Sequence, residues 1–125
     1  TSLSYSDSNL EYGYDEDWAY DGFHVDGYTA FDNYIRDNKT LTAETRLISA
    51  PGAEIFNGST TWATGIYYYN RSTDLRKVYT YDANDFTSEF ETERISAYGQ
   101  LESALSEEYV LTTGLRIEHA ESEYT

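Results

Sequence analysis

The chain has 125 residues, a size that suits one domain, and a net charge of -15 from 23 acidic and 8 basic residues. Such a surface repels phosphate backbones, so nucleic acid is excluded as an expected partner, and no basic patch draws the chain to anionic lipid heads. Cysteine is absent, so no disulfide and no thiolate metal site is expected.

Aromatic residues make up 17% of the chain, and 14 tyrosines dominate them. Mean hydropathy is -0.68, and Tyr and Thr stand where a soluble core would use Leu, Ile and Val. Both favour pleated, half-wet surfaces, and so many aromatics argue against disorder. Methionine is absent and no signal peptide precedes Thr1, which suggests a chain lacking its own start. No apolar run approaches the ~20 residues of a membrane helix, but a barrel strand crosses with ~9–11 tilted residues of alternating polarity.

In chain order, a first strand is expected over about 1–15. It runs into a long acidic loop, Asp15–Tyr28, whose densest part is Asp15-Glu16-Asp17 with Asp21 and Asp26 nearby. Divalent-cation binding by Asp15, Glu16 and Asp17 is one reading. The cluster lacks the spaced ligands and fixed glycine of an EF-hand loop, so solvated loop charge is preferred.

A second strand is expected over about 28–49. In Leu41–Leu47 one parity gives Leu41, Ala43, Thr45 and Leu47, the other Thr42, Glu44 and Arg46, an apolar and a charged face. Upstream, Asp32, Asn33, Arg36, Asp37, Asn38 and Lys39 put charge or amide on both faces, so that half is expected to project beyond a bilayer. Pro51-Gly52 and Asn57-Gly58 mark a turn over Ala50–Ser59.

A third strand is expected over about 59–81, with Trp62, Thr64, Ile66 and Tyr68 opposing Ala63, Gly65, Tyr67 and Tyr69. Tyr67-Tyr68-Tyr69 with Trp62 could form a sugar-binding platform. The preferred reading divides them between an interface girdle and lumen packing. After a second acidic stretch, Tyr81–Glu91, a fourth strand is expected over about 91–105. Ile95, Ala97, Gly99 and Leu101 oppose Ser96, Tyr98, Gln100 and Glu102 there. Ala97–Leu105 also has a helical spacing, but Gly99 and the surrounding Thr, Tyr and Val favour strand.

Ser106-Glu107-Glu108 is read as a short turn into a fifth strand over about 109–124, where Leu111, Thr113, Leu115 and Ile117 oppose Thr112, Gly114, Arg116 and Glu118. Arg46, Arg94 and Arg116 are expected to pair with carboxylates such as Glu44 and Glu118. His24 and His119 sit in no ligand spacing, and the carboxylate pairs Glu91/Glu93 and Glu121/Glu123 lack a substrate platform. No enzyme and no cofactor is therefore expected. Sequons at Asn38, Asn57 and Asn70 are expected to be bare.

The ordered set Thr1-Ser2-Leu3-Ser4-Tyr5, Asn38–Ser49, Trp62–Tyr69, Ser96–Leu101 and Leu111–Arg116 resembles the middle barrel of TonB-dependent outer-membrane receptors. Short turns at one end and long acidic loops at the other fit the same architecture. The resemblance implies an all-β fold, an antiparallel meander of about five long strands that is a segment of a larger outer-membrane β-barrel. Residues 1–125 would be a partial barrel domain, with the plug absent. Lipid-facing candidates are Leu41, Leu47, Trp62, Ile66, Leu101, Leu115 and Ile117; lumen-facing ones are Glu44, Arg46, Gln100, Glu102, Arg116 and Glu118. The implied function is active uptake of a scarce nutrient: a siderophore, vitamin or oligosaccharide. The implied partners are the rest of the barrel and its plug, an energy-coupling inner-membrane protein acting through that plug, and outer-membrane lipid. Two alternatives stay open: an extracellular β-rich filament protein self-associating through open strand edges, and a soluble acidic carbohydrate-binding β-sandwich.

Overall fold

A computed structural model of the chain describes residues 1–18, 20, 22–26, 30–81 and 85–125. It is all-β. Five strands, β1 (Ser2–Asp15), β2 (Phe31–Ile48), β3 (Thr60–Tyr79), β4 (Phe86–Ala104) and β5 (Val110–Tyr124), form one antiparallel sheet in the order β1-β2-β3-β4-β5. No helix interrupts the meander among the described residues, and Ala97–Leu105 belongs to β4 up to Ala104.

The strand limits fall within a residue or two of the sequence reading except at the starts of the second and fourth strands. The expected start of the second strand at 28 lies outside the described residues. The fourth strand begins at Phe86, well before 91, because its first residues find a ladder partner. Glu89 and Thr125 exchange backbone N–H···O bonds of 2.9 Å in both directions, and a paired backbone overrides the weak strand preference of an acidic stretch.

Contacts divide the chain into two compact units. The first comprises Thr1–Tyr5, Leu41–Asn70 and Thr92–Glu121. It holds the β2–β3 and β4–β5 connections. After Pro51, the Ala53 amide donates to the Ala50 carbonyl at 2.9 Å, and an Ile55–Thr60 bridge closes around Asn57-Gly58. Asn57 (φ 57) and Gly58 (φ 84) are left-handed, which Asn tolerates and Gly adopts freely. The second turn is the expected one: the Leu105 amide donates to the Tyr109 carbonyl at 2.9 Å.

The second unit comprises Ser6–Thr40, Arg71–Glu91 and Ser122–Thr125. The amide of Glu16 donates to the Ala30 carbonyl at 2.9 Å just beyond β1, and the Thr80 hydroxyl donates to the Phe31 carbonyl at 3.0 Å where β3 ends.

Ala30 is the one buried residue with an apolar side chain among the described residues; the other buried residues are Asp32, Thr60, Gly65 and Ser96. A sheet of this length normally buries one face against a second layer. Here the large apolar side chains of the strands stay exposed, Leu47, Ile66, Ile95, Leu115 and Ile117 among them.

Candidate functional site

Successive side chains of a strand point to opposite faces, and the contacts of the first unit follow that parity. On the polar face the Tyr98 hydroxyl donates to Glu44 Oε1 at 2.6 Å. Glu118 receives two arginines, Arg116 Nη2 at 2.5 Å and Arg94 Nε at 3.3 Å. The Arg116 guanidinium also lies 6.0 Å from the centroid of the Tyr67 ring, within cation–π range. The expected pairing of Arg94 and Arg116 with Glu118 is therefore present. The expected pairing of Arg46 is not: Arg46 makes no ion pair among the described residues, because the nearest strand partner of Glu44 is the Tyr98 phenol. Arg46 lines an open recess with Thr1, Ser2 and Glu44. Gln100 and Glu102 line another with Thr61 and Ala63.

The other face of this unit carries the apolar candidates. Leu115 and Ile117 are 71% and 68% exposed, Leu47 and Ile66 are exposed, and Leu41, Trp62 and Leu101 are half-buried. Trp62 donates its indole N–H to the Ala53 carbonyl at 3.0 Å. With Ile55, Thr64, Gly99 and Leu101 it lines a shallow apolar recess.

Parity also dissolves the aromatic platform considered at Tyr67-Tyr68-Tyr69. Tyr67 meets Arg116 on the polar face, whereas Tyr68 reaches Glu93 Oε2 at 3.1 Å. Tyr68 and Trp62 therefore share the side opposite to Tyr67 and Tyr69.

The acidic loop belongs to the second unit. Asp15 Oδ1 accepts from the Asp17 amide at 3.1 Å, and Asp17 Oδ2 accepts from the Ala30 amide at 3.1 Å. These carboxylates order the loop backbone, as short acidic side chains do in turns. Asp21 lies outside the described residues, and among those described no group of three or more His, Cys, Asp or Glu is gathered to hold a metal.

The densest constellation of the second unit was not foreseen from the sequence. Asp32 is 1% exposed. Its Oδ2 accepts the Tyr14 hydroxyl at 2.8 Å and faces Lys77 Nζ at 3.1 Å, while Oδ1 is buried without a hydrogen-bond partner. Lys77 Nζ lies over two rings, 5.3 Å from the Tyr34 centroid and 5.6 Å from that of Tyr79. Tyr34 stacks on Tyr12 at 5.1 Å and 7°, and on Tyr14 at 6.4 Å and 17°. Tyr79 meets Tyr81 edge-on at 5.9 Å.

The electrostatics follow from this geometry. The hydrogen bond to Asp32, then partial burial and the charge of the same carboxylate, push the Tyr14 phenol up to about 12. Hydrogen bonding to Tyr34 and Asp32 raises Lys77 above the ordinary lysine value, against a smaller lowering by burial. Both groups keep their protons at neutral pH. The site is thus a neutral ion pair roofed by phenols.

No protein-family model matches the chain, and no curated protein matches it either. The reading of this protein therefore rests on its own residues. The signal for the tyrosine cluster was present in the sequence only as the alternate pair Tyr12 and Tyr14, with Tyr34 and Tyr79 on later strands. What was lacking was the pairing of β1 with β2 that brings them together.

Proposed function

We propose that this chain is a stretch of the wall of a TonB-dependent outer-membrane receptor, and that its natural work is active import of a scarce nutrient: a siderophore, a vitamin or an oligosaccharide. On this reading it catalyses no reaction. It works with the rest of the barrel and a plug, which couples it to an inner-membrane energy source.

The observation that carries the reading is the two-sidedness of one unlayered sheet. On β5, Leu115 and Ile117 stand 71% and 68% exposed, while Arg116 and Glu118 between and beyond them pair on the reverse. Large exposed apolar rows are costly in water and stable against hydrocarbon. In the second unit both faces are polar. Asp32 and Lys77 pair on one, and Asp37, Asp74, Arg76 and Glu89 line a groove on the other. Such a unit suits the space outside a bilayer, where charge on both faces is tolerated.

A second reading draws support from the edges. Every residue of β1 and β5 is exposed, and those strands end the sheet order, so copies could join edge to edge as a filament. A two-layered soluble sandwich gains least support, since one sheet accounts for all five strands.

Reconstitution separates these. The full chain is expected to stay dispersed and β-rich only in detergent or lipid, and to float with liposomes in a density gradient. Filaments in plain buffer would favour the second reading. A monodisperse chain in plain buffer that neither floats nor binds a hydrophobic dye would end the first.

A further inference from the structure

The tyrosine cluster of the second unit has a front and a back. Tyr34 is half-buried, with Tyr12 stacked on it and Lys77 above its ring. Tyr12 and Tyr14, by contrast, are 42% and 45% exposed. Asp32, Tyr34 and Lys77 thus hold two open rings in fixed positions, with the Tyr14 hydroxyl oriented by a carboxylate. Fixed aromatic surface with oriented hydroxyls is a surface prepared for a ligand, because little side-chain freedom remains to be lost on binding.

The charge around it selects the ligand. Asp15, Glu16, Asp17 and Asp26 lie at the end of β1 and in the loop after it, and Asp32 stands behind the rings, in a chain of net charge -15. That field opposes an anion. A cation would seek an aromatic face, but Lys77 already lies over Tyr34 and Tyr79 and repels a second positive charge. What remains is an uncharged ligand with flat apolar ring faces and many hydroxyls.

We propose that Tyr12 and Tyr14 form a stacking platform for a neutral oligosaccharide, held in place from behind by Tyr34, Lys77 and Asp32. The pyranose C–H face lies on the phenol rings, and sugar hydroxyls meet the tyrosine hydroxyls at the rim. The proposal rests on the import reading for the ligand's further path, and it narrows three nutrient classes to one.

The test is affinity electrophoresis of the full chain in mild detergent. Native gels contain neutral polysaccharides (dextran, amylopectin, galactomannan, xyloglucan), or polygalacturonate or chitosan as charged counterparts. Retardation is expected in at least one neutral gel and in neither charged one. Tyr12→Ala and Tyr14→Ala should each weaken it about three- to tenfold. Tyr12→Phe, which keeps the ring, should retain most of it, as should Tyr109→Ala at the exposed β4–β5 turn. No retardation in any neutral gel, equal retardation in a charged gel, or indifference to Tyr12→Ala and Tyr14→Ala together overturns the platform. Liposome flotation of the same preparation separates the two failures: flotation without retardation ends the sugar site alone.

Discussion

Tyr98 on β4 reaches across β3 to Glu44 on β2, its hydroxyl 2.6 Å from Oε1, and it can do so because Gly65 lies beneath its ring. A Cβ placed on Gly65 would come within 2.6 Å of the ring's Cζ and Oη and 2.9 Å of the Thr45 carbonyl oxygen. The ring could swing aside; the backbone oxygen could not. Gly65→Ala is therefore expected to cost about 1–3 kcal/mol, as overpacking does, read from urea unfolding in detergent. Wild-type stability in Gly65→Ala would show that the clamp is absent.

Tyr98→Phe removes the hydroxyl and leaves the ring over Gly65. The expected loss is smaller, about 1 kcal/mol, the ordinary net worth of one hydrogen bond to a partly wet carboxylate. A loss equal to that of Gly65→Ala would contradict the separation of ring from hydroxyl.

Asp32 is the buried anchor of the other unit. Asp32→Ala leaves Lys77 without its carboxylate and Tyr14 without its acceptor, and is expected to destabilise the sheet by about 1–3 kcal/mol. Near-ultraviolet circular dichroism should lose intensity as the Tyr12–Tyr34 stack loosens. Glu107→Ala, at the exposed β4–β5 turn, serves as the control and should stay within about 0.5 kcal/mol of wild type.

Alkaline pH gives an independent handle on the same cluster. The folded Tyr14 phenol titrates near 12, above its ordinary 10.0. A group raised on folding stabilises below its unfolded value and loses that contribution as pH climbs through the folded one. The Tyr14 contribution is thus intact below pH 10 and gone above pH 12. The difference between wild type and Tyr14→Phe in absorbance at 295 nm should show a phenolate forming about two pH units late, and Tyr14→Phe should flatten stability across that window. A Tyr14→Phe titration superimposable on wild type would contradict the assignment.

Alternation was the legible part of the fold. Leu41–Leu47 and Leu111–Glu118 each confine their charged residues to one parity, and both lie within strands. Parity also sufficed to place Arg116 and Glu118 on one face. Pairing across strands was less legible, because it depends on register, which the connections before β2 and β4 do not set. Hence Asp32 read as one of several projecting charges, whereas β1 places Tyr14 over it and buries it. Glu44 likewise read as a partner for Arg46, but Tyr98, two strands away, had a claim that no local spacing reveals. The acidic composition of residues 81–91 concealed the start of β4 at Phe86, which rests on pairing with β3 and, at Glu89, with Thr125.

The central claim is that one face of the sheet meets hydrocarbon. The chain has no native cysteine, so single cysteines at positions 111 to 118 can carry nitroxide labels in lipid-reconstituted full chain. Paramagnetic relaxation should then alternate: labels at 111, 113, 115 and 117 answer to oxygen dissolved in the bilayer, and those at 112, 114, 116 and 118 to a water-soluble nickel chelate. A uniform response to the nickel chelate along β5 would contradict the account.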